Sequence, residues 1–144
     1  MAKINKLEAH HSFMVMPKDC NFNTNAISKK NDMLFGGKLM YEIDYAGSMI
    51  ARRALYGVDV DTMVTASVDK INFEKPSFIG DIILMIASIK SLGKSSIQIR
   101  VKAIRENLKG ETENVCSCNM TFVAIKDGKP ATHNLSFETL EKDE

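Results

Sequence analysis

No apolar run in the chain approaches the roughly 20 residues that a membrane-spanning helix needs, so nothing in it predicts insertion into a bilayer. Charge of one sign is missing too. The 19 Lys and Arg nearly cancel the 18 Asp and Glu, leaving a formal net charge of +1 and no reason to expect a nucleic-acid partner. Cysteine is scarce, and Cys20, Cys116 and Cys118 cannot all pair within one chain. The stretch 1–7 lacks an apolar signal core, so reduced thiols in a cytoplasmic setting are expected. Cys116 and Cys118 stand two apart on an expected strand and point to one face. With no second pair at zinc spacing they read as buried apolar thiols, and no metal is expected. The only histidines, His10, His11 and His133, fall in terminal or loop regions and suggest no proton relay. GxSxG, HExxH and the P-loop are absent, which argues against serine hydrolases, zinc peptidases and NTPases of the usual kinds. There is no internal repeat and no low-complexity block.

At 144 residues, 44% of them hydrophobic, the chain is expected to form one domain over 1–144 with frayed ends at 1–10 and 137–144. A helix is predicted from Gly36-Gly37 to about Tyr56. Its apolar residues, among them Leu39, Ile43, Ala46, Ile50 and Ala54, cover more than one stripe, so burial on most sides is expected. Arg52 and Arg53 suit the negative pole of the helix dipole, and Gly57 is a plausible stop. The rest reads as strand, over 11–16, 63–73, 81–92, 94–106 and 113–126. Short Gly-containing turns at 91–94, 108–111 and 126–130 join antiparallel neighbours. Ile97, Ile99, Val101 and Ala103 alternate with Gln98, Arg100 and Lys102, the pattern of a sheet with one wet face. One helix and a long-stranded antiparallel sheet define an α+β fold in which the sheet curls around the helix. The polar stretch 18–32 is a long loop, a length often associated with function or mobility.

Asp44 is the strongest hint of chemistry. Its helical neighbours at three, four and seven residues' distance are Met40, Tyr41, Gly47, Ser48 and Ala51, none charged. Burying an ionised carboxylate among them costs on the order of several kcal/mol unless it is compensated. The group either serves function or bonds to a backbone group or an Arg for structure alone, and the residues leave both open. Glycines at a helix start let a ligand approach bare N–H groups at the positive end of the dipole, where a developing oxyanion is stabilised. For Gly36-Gly37 a tight turn accounts for the pair equally simply. Asp44 lies about 10 Å along the axis from those donors, so one ligand spans both only if another chain or loop completes the pocket.

In Met16-Pro17-Lys18-Asp19-Cys20-Asn21, Leu34-Phe35-Gly36-Gly37-Lys38-Leu39-Met40 and Ile43-Asp44-x-Ala46-Gly47, the chain resembles the hotdog-fold acyl-CoA thioesterases, closest to the bacterial and brain-type acyl-CoA hydrolases. Val64 to Asp69, Phe73-x-x-Pro76, Gly80-Asp81 and Gly93-Lys94-Ser95-Ser96 follow in family order, so the likeness runs from about residue 13 to 130. The resemblance implies a hotdog fold, a long central helix wrapped by a curved antiparallel sheet, and hydrolysis of acyl-CoA to a free acid and CoA. It implies a homodimer that assembles into a homohexamer, with sites at the dimer interface and no cofactor, because coenzyme A belongs to the substrate. Carried over, Asp44 matches the general base or nucleophile, Asn21 the catalytic Asn, Gly37 the backbone donor and Thr65 a hydroxyl near the attacking water. Gly36 and the turn Gly93, Lys94, Ser95 and Ser96 match substrate-binding segments. An insertion after Asn21 leaves Asn21, Asn23 and Asn31 as candidates for the catalytic Asn. A smaller one around 57–61 lies near the expected site and bears on acyl chain length. Two other readings of the same fold are an enoyl-thioester hydratase and a non-catalytic acyl-CoA-binding module.

Overall fold

The alternation at 96–106 folds as strand β4 (Ser96–Glu106), with Ile97, Ile99, Val101 and Ala103 all buried and Gln98, Arg100 and Lys102 outward. The structure is a computed structural model, and it describes residues 4–21 and 32–142. In chain order the other elements are β1 (Glu8–Met14), a 3-10 turn (Pro17–Asp19), helix α1 (Gly36–Ala54), β2 (Thr62–Phe73), β3 (Ile82–Leu92), β5 (Thr112–Lys126), β6 (Lys129–Pro130) and helix α2 (Phe137–Lys142). The strands lie in the order β1-β3-β4-β5-β2, every pair antiparallel, with β6 added to β5. Register breaks in β2, between Thr65 and Ser67 and between Asp69 and Asn72, add local twist of the kind that bends a sheet around a helix.

Helix α1 packs one face on that sheet through Leu39, Ile43, Ala46, Ile50, Ala51 and Ala54, which join the strand residues in a single core. It lies close on the sheet at Gly47, where an added Cβ would lie 3.0 Å from Met120 Sδ and 3.1 Å from the Phe122 ring. The expectation that α1 is buried on most sides needs correction. Tyr41 is 62% exposed and Tyr45 51%, because one chain's sheet covers only one side of the helix and these two residues share the other. The expected fraying is corrected for residues 8–10 and 137–142, while 1–3 and 143–144 lie outside the described residues. Residues 8–10 belong to β1, where Ala9 is buried opposite Ala87. The tail forms α2, entered through a Ser136 side chain that accepts the Thr139 N–H at 3.1 Å, and Leu140 is fully buried. A single large apolar side chain gives a short polar tail its reason to dock. The thiols of Cys116 and Cys118 are buried in the core as expected.

Candidate active site

The N-terminus of α1 is built by two segments that meet in antiparallel fashion. Asp19 accepts the Phe35 N–H at 2.8 Å, Cys20 bridges Leu34, and the Asn21 N–H donates to Met33 at 2.8 Å. Asn21 is thereby brought alongside the start of the helix with an exposed side chain. Asn23 and Asn31 lie outside the described residues. Phe35 occupies the N-cap position without a side-chain bond, and among the described residues nothing caps the first helical N–H groups, at Gly36 and Gly37. Beside them opens a cleft of about 230 Å³ lined by Met33, Leu34, Gly36, Leu39, Phe73 and Pro76.

Two turns further along, Asp44 is half-buried, and the Thr65 hydroxyl donates to its Oδ1 at 2.8 Å. Among the described residues nothing bonds to Oδ2. The structure thus brings Asp44 and Thr65 together, and separately groups Asn21 with Gly36 and Gly37. The two groups remain about 10 Å apart along the helix. The turn 93–96 lies at the Thr65 end of the sheet. Thr65 is opposite Phe122, which is opposite Ile97, and Ser96 stands one residue further. Two strand spacings, about 10 Å, separate Thr65 from that row of β4. Another cavity, about 380 Å³, lies beyond the C-terminal end of α1 among Arg52, Leu55, Tyr56, Val58, Val60 and Met63, next to the 57–61 insertion.

The most buried acid of the helix is Glu42, which the sequence reading passed over in favour of Asp44. Its Oε1 accepts from Lys38 Nζ at 2.7 Å and its Oε2 meets His11 Nε2 at 2.6 Å, while Lys38 also lies 3.7 Å from Asp19. Burial opposes ionisation of Glu42, but the hydrogen bonds from Lys38 and His11 and their charges outweigh it and hold the carboxyl below its usual range. This cluster joins β1, the 3-10 turn that leads to Asn21, and the first turns of α1. The i,i+4 spacing of Lys38 and Glu42 was the one signal of it in the sequence. Among the described residues no group of His, Cys, Asp or Glu is placed to hold a metal ion.

A long helix laid across a curled antiparallel sheet, with an acid on the helix facing a hydroxyl on the edge strand, defines a hotdog-fold protein. The model of the Thioesterase superfamily matches residues 31–111, more than half of the chain, and the chain belongs to that family. It is 30% identical over 120 residues to protein VdlD of Helicobacter pylori; this covers 83% of the chain, which spans only 62% of that relative's length. An acyl-CoA hydrolase of Staphylococcus aureus, solved with butyryl coenzyme A and coenzyme A, superposes with a TM-score of 0.74 at 28% identity, covering 89% of this chain and 71% of that one. That enzyme has also been solved with an Asn, a Thr and an Asp each replaced by Ala. A hexameric thioesterase of Yersinia pestis superposes with a TM-score of 0.72 at 30% identity, covering 88% of this chain and 94% of that one.

Proposed function

We propose that the chain is an acyl-CoA thioesterase that hydrolyses acyl-CoA to a free carboxylic acid and CoA. The observation that carries this reading is the Asp44–Thr65 pair: one carboxylate oxygen is oriented by a hydroxyl and the other is left to act. Asp44 works either as a general base, taking a proton from the water that attacks the thioester carbonyl, or as the nucleophile itself. On the first route water adds to the carbonyl, the carbon–sulfur bond breaks, and the acid departs. On the second the acyl group passes to Asp44 as a mixed anhydride, which water then hydrolyses to release the acid and restore the carboxylate. On both the CoA sulfur leaves as a thiolate that takes up a proton. The open N–H groups at Gly36 and Gly37 stabilise the oxyanion, with Asn21 beside them. The residue types replaced in the S. aureus enzyme, Asn, Thr and Asp, are those of Asn21, Thr65 and Asp44.

The gap between Asp44 and the helix N-terminus in one chain is bridged in a homodimer, in which Asp44 of one protomer faces the Asn21 and Gly37 region of its partner. The edge strand β2, with Val64 and Phe73 exposed, and the open face at Tyr41 and Tyr45 are the surfaces available for such pairing. Further assembly to a homohexamer follows the Y. pestis relative. CoA enters as part of the substrate, no cofactor is required, and the protein works in the cytoplasm. The hydratase reading is disfavoured because Glu42, the carboxylate partner of His11, already has its second oxygen committed to Lys38.

Release of free thiol from a panel of acyl-CoAs of increasing chain length tests the proposal. Asp44→Asn is expected to lower kcat by roughly 10²-fold or more while acyl-CoA still binds. Wild-type hydrolysis by Asp44→Asn, or hydration of an enoyl-CoA in place of thiol release, overturns it.

A further inference from the structure

The segment after β6 crosses the turn 93–96 and ties it down. The Ala131 N–H donates to Ala124 at 2.8 Å, and the His133 N–H donates to the Lys94 carbonyl at 3.0 Å. The His133 ring is buried between two backbone groups. Its Nε2 lies 2.9 Å from the Ser96 carbonyl oxygen, and its Nδ1 accepts the Leu135 N–H at 3.0 Å. A carbonyl only accepts and a backbone N–H only donates, so both bonds are made together by the neutral ring that carries its proton on Nε2.

The same turn has its other carbonyl engaged as well. Ser95 accepts the Ala124 N–H at 2.8 Å, and Ser96 accepts a second bond from the Gly93 N–H at 3.0 Å. The turn is closed so tightly that a Cβ at Gly93 would lie 2.2 Å from Ser96 Oγ. All the carbonyls from Lys94 to Ser96 are therefore directed into the protein. Among the described residues no acceptor takes the N–H of Lys94 or Ser95, and the Lys94 side chain is exposed beside them. Adjacent bare N–H groups with a cation at their rim suit an oxygen acceptor of a ligand.

We propose that His133 is a positioning residue for substrate binding: by donating to the Ser96 carbonyl it keeps the carbonyls of the turn inward, so that the Lys94 and Ser95 N–H groups receive an oxygen of the CoA moiety. The oxygen belongs to a phosphate or to an amide of the pantetheine arm. The inference rests on the reading of 93–96 as a CoA-binding turn, and the test separates the two ideas.

Steady-state kinetics of thiol release are compared for His133→Asn, His133→Gln and Ser95→Pro, each after a melting curve has established that the variant is folded at the assay temperature. Asn keeps an acceptor for the Leu135 N–H but is too short to reach Ser96, whereas Gln keeps a donor near the position of Nε2. His133→Asn is expected to raise KM roughly tenfold with kcat unchanged, the size of effect of one lost hydrogen bond. His133→Gln is expected to return KM toward the parent value. Ser95→Pro deletes one of the two N–H groups while keeping the His133 side chain that donates to Ser96, and is expected to raise KM as well. If Ser95→Pro leaves KM unchanged, the turn does not bind CoA and the underlying reading fails. If Ser95→Pro raises KM while His133→Asn does not, or if Gln performs no better than Asn, the positioning role alone is overturned. The series repeated with an acyl-pantetheine thioester, which lacks the nucleotide, tells the sources apart, because the KM rise persists for an amide and vanishes for a phosphate.

Discussion

Replacing Glu42 by Gln keeps the volume of the side chain and removes the charge that holds Lys38 and His11. Two bonds to charged or ionisable partners, at 2.7 and 2.6 Å, lose their acceptor, and the new amide turns a donor toward at least one of them. Hydrogen bonds to charged groups contribute about 1.5–3 kcal/mol each, and stranding a fully buried charge costs about 3–5 kcal/mol. The Lys38 and His11 side chains are 26% and 23% exposed, so water takes over part of both losses, and Lys38 retains Asp19 at 3.7 Å. A net loss of about 2 kcal/mol is the result, or about 6 °C in melting temperature for a chain of this size. Thermal unfolding by circular dichroism at fixed protein concentration measures it. The pH dependence carries a further check. The folded-state pKa of Glu42 lies below its unfolded value, so its contribution is complete above the unfolded pKa and is lost as pH falls through the folded one. The gap between parent and Glu42→Gln should therefore close as the pH drops below about 4. A variant that melts with the parent at neutral pH, or a gap that widens in acid, would refute the reasoning.

Thr65→Val removes the donor to Asp44 Oδ1 while keeping the shape of the side chain, and kcat should fall roughly tenfold, with Thr65→Ser close to the parent. Unchanged turnover in Thr65→Val would mean that Asp44 is oriented by something else. Burial above all pushes the Cys116 thiol up to about 11 and the Cys118 thiol up to about 12, whereas Cys20 is only half-buried. Iodoacetamide at mildly alkaline pH should therefore label at most Cys20 in the folded protein and all three thiols after denaturation. Mass spectrometry reads the sites, and alkylation of Cys116 without unfolding would contradict the packing of β5.

The strands and the helix were legible because period 2 and period 3.6 patterns are local. The five long strands and α1 fall within about three residues of their expected bounds. Asp44 stood out on its helix face, Thr65 was named only through the family resemblance, and the fold brings them into contact across 21 residues of sequence. What escaped was non-local. Glu42 is neutralised by Lys38 on its own helix and by His11 on β1, and no reading of the helix alone reveals the second partner. His133 read as a loop residue and Leu140 as part of a frayed tail because their anchors, Ser96 and the core, lie far away in sequence. The tyrosines of α1 face away from the sheet for a related reason: hydrophobic pattern records everything that covers a helix, including surfaces that a single chain does not supply.

The interruptions along β2 bear on what can pair with this edge of the sheet. A bare ribbon of twelve residues invites zippering by any extended neighbour, and that is the route to fibres. Kinks after Thr65 and Asp69 mean that a straight intruder finds hydrogen-bonding partners for only part of its length. A two-fold mate carries the same kinks in the reverse direction, so the irregular border that frustrates open-ended stacking still permits closed pairing.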